Sequence, residues 1–360
     1  MRAVRFHRHG GPEVLQVEEL PVPEPAAGQV LVKVAACGVN RVDILSREGQ
    51  TPAPIVMPHV SGTEVTGEVA AVGAGVDLPM GMRVLVNPTI SCGRCEFCRA
   101  GRDNACLRGR IFGVQTDGGY ASHVVVEAQW LLPLPDDVSF EDGAAVAVTG
   151  ATAWHMLVTR AGVRVGHDVL VIAGGSGIGA LGIQIAKLAG ARVITTAGSG
   201  EKRERALALG ADEVVDHYDP DWPRTVRRLT GGRGVDVVFE HVGQATWAGS
   251  LTALTRGGTL VTCGGHSGFT VEIDLWSLFV KEHKIVGSFA GTTSDLLHVL
   301  ELVGQRRLRP VVHDRIPLAE AARAQQLLED SAVFGKVLLL PEHTHSESIA
   351  AAPHGKDQGE

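Results

Sequence analysis

The sequence predicts an α/β protein: a small, partly open β-barrel made from the first and last parts of the chain, with a doubly wound parallel sheet inserted between them. Three observations carry this reading. Between Asp168 and Gly190 an apolar run is followed by a glycine-rich turn and an apolar helix, and β and α segments alternate onward from there. Before about residue 138 the texture differs, with short β-type runs separated by Gly and Pro turns. After about residue 290 the alternation weakens, and Arg315 to Leu340 reads as strand, helix, strand returning to the first part. A length of 360 residues suits two domains better than one core.

In chain order, Pro21, Pro23 and Pro25 mark an early loop, and Val30–Ala35, Gly67–Val72, Arg83–Val86 and Ser122–Val126 are the expected barrel strands. The change to long βαβ units comes near Ala144 to Trp154, which places the linker just before it. The expected division is therefore 1–138 for the barrel domain, with a metal-binding lobe at about 90–110, 139–290 for the inserted domain and 291–340 for the return. The tail, 341–360, is polar and rich in small residues, and its scattered His343, His345 and His354 read as part of a disordered segment.

In the inserted domain, Val169 to Ile172 form an apolar run without polar alternation, as in a strand buried on both faces. Gly174, Gly175, Gly177 and Gly179 follow, with Ser176 in the place of the middle glycine of G-x-G-x-x-G and Ile178 between the last two. Ala180 to Ala189 then reads as a buried helix whose one charge is Lys187. Free N–H groups and the dipole at a helix start favour a pyrophosphate, so this unit is a candidate dinucleotide cradle. The alternative, a tight turn that binds nothing, is disfavoured by the later strands Arg192–Thr196, Val214-Val215, Val235–Glu240 and Thr259–Thr262.

Cofactor choice is read at the end of the second strand, where an acidic residue would bind the ribose 2′-hydroxyl of NAD and repel a 2′-phosphate. Ala197 occupies that place. Ser199 can donate to a phosphate, and Lys202, Arg203 and Arg205 add positive charge, so NADPH is expected ahead of NADH. These bases also fit a solvated helix face.

Cys92, Cys95, Cys98 and Cys106 form C-x2-C-x2-C-x7-C in a Gly- and Arg-rich loop with little to bury. Four thiolates close a tetrahedral zinc shell with no open position, hence a structural site. Disulfides and free thiols are the alternatives. Arg94, Arg99 and Arg102 are placed to temper the charge of the site, while Cys37 and Cys263 stand outside it and read as buried hydrophobes.

Forty acids against thirty-three bases give a formal net charge of −7, which argues against broad nucleic-acid binding and against an anionic membrane surface. No apolar run approaches the roughly 20 residues that span a bilayer. The first twenty residues carry charges throughout, so the cytoplasm is the expected compartment.

Together, Cys37-Gly38-Val39-Asn40, the four-cysteine lobe, the cradle at Gly174 to Gly179, Lys202, Gly257-Gly258-Thr259 and Phe334-Gly335-Lys336-Val337 resemble the medium-chain dehydrogenase/reductase superfamily over about residues 1–340. The resemblance lies between its zinc-containing alcohol dehydrogenases and its quinone oxidoreductases. It implies a GroES-like catalytic domain, an inserted Rossmann domain, an active site in the cleft between them, Val242 and Gly264 as further cofactor contacts, and a homo-oligomer, dimer or tetramer. Where the alcohol dehydrogenases hold a catalytic zinc, the resemblance aligns Cys37, but Thr63 stands for the histidine of Gly-His-Glu and Val148 for the last ligand. A threonine hydroxyl is a poor zinc ligand, and valine is none. The family often has Gly-Asp where this chain has Gly81-Met82, a change without a physical account.

His59 has three readings: a rebuilt zinc site with Cys37 and Glu64, a proton-handling or substrate-binding group, and a hydrogen-bonded structural histidine. Without a Lewis acid, oxidation of a simple alcohol is hard, whereas a quinone or an α,β-unsaturated carbonyl accepts hydride while charge develops on a conjugated oxygen. Asn40, Thr63 and Thr149 are the expected donors and Asp43, Glu64 and His59 the organisers; Asn40 and Asp43 suit a simple turn equally well. Trp154, Phe289 and Trp276 are candidates to shape the pocket or to be core. The expected function is NADPH-dependent reduction of a small quinone or activated alkene with one structural zinc. The alternatives are an alcohol dehydrogenase with an atypical zinc, and an NADPH-binding or interaction protein without chemistry.

Overall fold

The strand Gln29–Gly38 is the spine of the barrel half, and its buried Val30, Val32, Val34 and Cys37 form one side of that half's core. The computed structural model describes residues 1–51 and 54–342; the tail histidines and the expected disorder from 343 onward lie outside them. Glu64–Val72 and His123–Glu127 pair antiparallel with Gln29–Gly38, and Arg83–Val86 and Leu131–Pro133 extend the sheet beyond Glu64–Val72. On the other side Lys336–Leu340 joins the end of the spine, with Leu338 opposite Gly38 and Leu339 opposite Cys37, and Val312–Pro317 lies parallel to it. The last two strands of the described chain thus return to the first sheet, around the helix Ala321–Glu329. A small sheet of Gln16–Glu19, Arg2–Phe6 and His59–Val60 lies beside it.

The middle of the chain forms a six-stranded, all-parallel sheet in the spatial order Glu213–Val215, Arg192–Thr196, Asp168–Val171, Val235–Glu240, Leu254–Thr262, Lys284–Gly287. Numbered within this sheet, the order is 3-2-1-4-5-6, that of a doubly wound dinucleotide fold. Val169, Leu170 and Val171 are fully buried, as a strand covered by helices on both faces requires. The order reverses between Asp168–Val171 and Val235–Glu240. Loops leaving the carboxyl ends of these two strands diverge and open a crevice.

Glu240 fixes the loop on one side of the crevice. Fully buried at the end of its strand, it accepts from the Val242 and Gly243 N–H groups through Oε1 (2.7 and 3.1 Å) and from the Thr246 and Ser250 hydroxyls through Oε2 (2.9 and 2.7 Å). Glu240→Ala strands four donors and is expected to cost about 3 kcal/mol, since each buried unpaired group costs roughly 1–3. The check is a lowered urea midpoint for the variant, with a weaker cofactor complex because Val242 is no longer held.

Candidate active site

The cleft between the two halves has a volume of about 1040 Å³. Its floor is the glycine turn. Ser176 precedes the helix Gly177–Leu188 and caps it, its Oγ accepting from the Gly179 N–H at 2.9 Å while donating to the Ala173 carbonyl at 2.8 Å. Serine in the middle glycine's place therefore completes the turn. Gly179 is required sterically, because a Cβ there would lie 2.3 Å from the Ala173 carbonyl oxygen. Gly175, Ser176, Gly177 and Ile178 line the cleft, as do Ala197, Ser199, Lys202, Val242 and Gly264. Gly174 and Gly179 do not line it; they stand behind the turn, against Thr195 and Ala173 respectively, where a side chain would not fit. The barrel half reaches the turn directly, since the Gly335 N–H donates to the Gly175 carbonyl at 2.9 Å and Ser176 and Gly335 form a parallel bridge.

At the end of Arg192–Thr196, the helix Gly200–Ala208 is capped by Ser199, whose Oγ accepts from the Lys202 N–H at 3.2 Å. Of the three bases expected here, Lys202 alone lines the cleft, and its Nζ donates to the Ser331 carbonyl. Burial pushes the Lys202 ammonium below its ordinary range. Arg203 instead pairs with Asp216 at 2.7 Å, and Arg205 lies 4.2 Å from the centre of the Phe334 ring and 3.6 Å from Glu201. Their charge is spent on neighbours. His217 and Tyr218, which the sequence did not single out, line this end of the cleft beside Gly198. A nicotinamide dinucleotide fits these residues: a glycine turn opening on a helix start, with Ala197, Ser199, Lys202 and His217 around the adjoining pocket.

The opposite wall is polar and built around Lys336. Its Nζ donates to the Val39 carbonyl at 2.9 Å and to Asn40 Oδ1 at 2.7 Å, and lies 2.6 Å from Glu64 Oε2, with both charged side chains almost wholly buried. Glu64 Oε1 accepts from the Val148 and Thr149 N–H groups at 2.7 and 2.9 Å. Asn40 Nδ2 donates to Thr63 Oγ1 at 3.1 Å. Asn40, Thr63, Thr149 and Lys336 line the cleft; Asp43, His59 and Glu64 do not. The Thr149 hydroxyl is occupied, donating to the Ala145 carbonyl at 2.8 Å in its own helix, so it is no substrate donor in this arrangement. Asp43 lies below the start of the helix Arg41–Glu48, accepting from the Asn40 N–H at 2.8 Å and from the Tyr120 hydroxyl at 3.3 Å, and burial pushes its carboxyl up to about 7.

His59 is buried away from this wall. Its Nε2 bonds to the Gly113 carbonyl at 3.1 Å and its ring meets Phe6 edge-on, while burial holds its pKa below the usual imidazole range. The structural reading describes its surroundings, and the cleft roles do not. Among the described residues the four cysteines are the only His, Cys, Asp or Glu group whose ligand atoms converge for a metal, so Cys37, His59 and Glu64 are not brought together as a zinc site. Phe289 lines the cleft, Trp276 is 70% exposed outside it, and Trp154 packs on the core and stacks on His298. His241 and His266, also missed in the sequence, line the cleft; the His241 Nε2–H donates to the Ile172 carbonyl at 2.8 Å.

The cysteine quartet fits zinc. Its ligand sulfurs lie within 4.8 Å of one another, with Cys95 Sγ 3.4 Å from Cys98 Sγ and 3.9 Å from Cys106 Sγ. Tetrahedral Zn–S bonds of about 2.3 Å place sulfurs roughly 3.8 Å apart. The Cys92 and Arg108 N–H groups donate to Cys106 Sγ, and Arg108 also reaches Cys92 Sγ, whereas Arg102 lies over the Phe97 ring. Residues just after the third cysteine dock the lobe on the cleft rim. Asp103 accepts from the Thr293 N–H, and Asn104 Nδ2 donates to the Phe289 carbonyl at 2.8 Å and to His155 Nε2 at 3.2 Å. His155 Nδ1–H in turn donates to Asp295 at 2.7 Å. Burial opposes ionisation of Asp295, but hydrogen bonds from His155, Thr292 and Thr159 outweigh it and hold the carboxyl at about 2.

No helix among the described residues is long and apolar enough to cross a membrane. Residues 26–136 match the family model described as the alcohol dehydrogenase GroES-like domain, and residues 177–305 the one described as zinc-binding dehydrogenase. The chain is 33% identical over 351 residues to a quinone oxidoreductase of Salmonella typhimurium (94% of this chain, 99% of the relative). It is 31% identical over 347 residues to an NAD-dependent alcohol dehydrogenase of Sulfolobus acidocaldarius (94% and 99%). A crystal structure of an NAD-dependent alcohol dehydrogenase superposes with a TM-score of 0.90 at 46% identity, covering 94% of this chain and 99% of that one. Elemental analysis is expected to find one zinc per chain and none in Cys98→Ser. Hydrogen exchange over 289–296 is expected to rise in that variant, because Asp103 and Asn104 lose their footing.

Proposed function

The chain belongs to the medium-chain dehydrogenase/reductase superfamily, and from that premise we propose that it is a cytoplasmic reductase that uses NADPH to deliver hydride to a quinone or an α,β-unsaturated carbonyl, with one structural zinc and no catalytic one. It is an NAD(P)H-dependent oxidoreductase. The observation that carries the finer reading is the composition of the polar wall. The family resemblance aligns Thr63 and Val148 with zinc-ligand positions, and in the structure Asn40 and Thr63 border the cleft beside a buried ammonium–carboxylate pair.

When bound, the cofactor supplies a hydride and leaves as NADP⁺. The Gly175–Ile178 turn would hold its pyrophosphate, and Ser199, Lys202 and His217 would hold the 2′-phosphate. Thr63 and Asn40 receive the oxygen on which charge develops, in place of a Lewis acid. Phe289 and the loop held by Glu240 cover the reacting centre, and closure of the two halves excludes water. Proton delivery falls to water, because the Asp43 carboxyl is buried behind Asn40. The proposed homo-oligomer is supported by a contiguous exposed apolar set, Leu275, Trp276 and Phe279, next to the open edge strand Lys284–Gly287.

The relatives' names divide between quinone oxidoreductase and alcohol dehydrogenase, which keeps a second reading in view: an alcohol dehydrogenase with an atypical catalytic zinc. NADPH oxidation by quinones or enones that persists in chelator, with one retained zinc, is the expected result. A second, labile zinc lost together with alcohol-dependent NADP⁺ reduction establishes the rival. Tight NADPH binding with turnover of neither class leaves a binding protein. Lys202→Ala is expected to raise the Kd of NADPH about tenfold, the loss of one charge-assisted contact worth about 1.4 kcal/mol, and that of NADH less than twofold. Equal effects on both cofactors remove the NADPH assignment.

A further inference from the structure

We propose that Lys336 is a positioning residue for hydride transfer: its buried ammonium, anchored on Glu64, polarises Asn40 and through it makes the Thr63 hydroxyl the donor that receives the substrate oxygen. The inference rests on the hydride-acceptor reading above and adds to it a residue far from the glycine turn in sequence.

The hydrogen-bond directions follow from the chemistry of each group. An ammonium only donates, so Asn40 presents Oδ1 to Lys336 and its Nδ2 is turned to Thr63. An amide N–H₂ also only donates, so Thr63 Oγ1 must accept from it. The Thr63 hydroxyl hydrogen is thereby left over, and among the described residues no hydrogen bond takes it up. Thr63 borders the cleft from a fully buried position, so a substrate oxygen reaches its hydroxyl only by seating against it. The Lys336 ammonium donates to the Val39 carbonyl and Asn40 and is ion-paired with Glu64, so Lys336 acts on the substrate through Asn40 and not by contact. Glu64 is itself fixed by the Val148 and Thr149 N–H groups. In a site of low local dielectric such a chain strengthens each successive donor.

The balance of the step is simple. The β-carbon of an enone takes the hydride and its electron pair from the dihydronicotinamide C–H bond, which breaks as the new C–H bond forms. The C=C π pair shifts to the bond between the α-carbon and the carbonyl carbon, and the C=O π pair moves onto oxygen as an enolate. A water proton finally joins the α-carbon, leaving hydroxide to solvent. NADPH is oxidised and the alkene reduced. Thr63 meets charge that exists only after hydride transfer has begun, so its contribution is to kcat.

Lys336→Met alone would leave the buried Glu64 carboxylate without its counter-charge, so the test uses Lys336→Met with Glu64→Gln, which removes both charges together. The double variant is expected to lower kcat for an enone about tenfold while the enone KM and the NADPH Kd stay within about twofold, because only an interaction specific to the transition state is lost. A readout without turnover accompanies it: affinity of the NADP⁺ complex for 4-nitrophenolate, an oxyanion followed by its visible absorbance, is expected to fall about tenfold. Thr63→Val is expected to lower kcat about 100-fold, the usual cost of one oxyanion donor, with Thr63→Ser restoring it to within about threefold. Should the double variant not fold, Asn40→Leu breaks the same chain with the ion pair in place, and the same tenfold losses are expected. Wild-type turnover of enones combined with a double variant, or an Asn40→Leu protein, equal to wild type in kcat and nitrophenolate affinity overturns the role of Lys336 alone. A wild type that reduces neither quinones nor enones overturns the hydride-acceptor reading, and this inference with it.

Discussion

The ammonium of Lys336 and the carboxylate of Glu64 face each other across 2.6 Å at the base of the cleft, the two side chains 3% and 0% exposed. Moving two such charges out of water costs several kcal/mol each, so the pair persists only where every remaining donor and acceptor is matched. Here the ammonium is met by the Val39 carbonyl and Asn40, and Glu64 Oε1 by two N–H groups at the start of the helix Thr149–Trp154, while Oε2 has the ammonium alone. The pair and these partners belong to four separate stretches of chain. The pair therefore fixes the seam where the first strand of the barrel, its last strand and the entry to the nucleotide domain meet, and the polar wall follows from it.

The same seam positions the cradle. Lys336 opens the strand that pairs with the spine Gln29–Gly38, and its predecessor Gly335 is hydrogen-bonded to Gly175 in the glycine turn. The Gly177 position lies so close to Lys336 that a Cβ would fall 2.6 Å from Lys336 Cδ. Hydride transfer requires donor and acceptor carbons in van der Waals contact with aligned orbitals. A polar wall tied by the Gly335–Gly175 backbone bond to the glycine turn keeps the two close together. The cysteine lobe does comparable work at the rim, where Asp103 and Asn104 grip Thr293 and Phe289 from outside the cleft.

Within a superfamily whose names include both zinc-binding dehydrogenases and quinone oxidoreductases, the polar wall bears on which chemistry is easy. Neutral donors stabilise a delocalised oxyanion well and an alkoxide poorly, since only the former has spread its charge before the proton is needed. Asp43 follows the same logic. It accepts two hydrogen bonds under Asn40 and does not line the cleft, so its place in the structure is at the start of its helix.

The strands, the glycine turn and the cysteine quartet were legible in the sequence, because each is a local pattern. Arg83–Val86, Arg192–Thr196 and Val235–Glu240 match the expected runs residue for residue, and the quartet's spacing announced its sulfur cluster. Burial on both faces, close backbone approach and chelate spacing all constrain residues near one another in sequence, although none of the four turn glycines takes the positive φ that glycine allows. The polar wall was half legible: Asn40 and Thr63 line the cleft, while His59 turns to Gly113, Thr149 donates into its own helix, and Arg203 and Arg205 are spent on neighbours. Residue type gives what a side chain can donate or accept, and only its surroundings decide which partner takes it. Lys336 is the clearest case. The sequence by itself determined a lysine in a closing Phe-Gly-Lys-Val; the tertiary structure alone set it 296 residues away against Asn40, because the pairing of the last strand with the first is a long-range contact that no local pattern encodes.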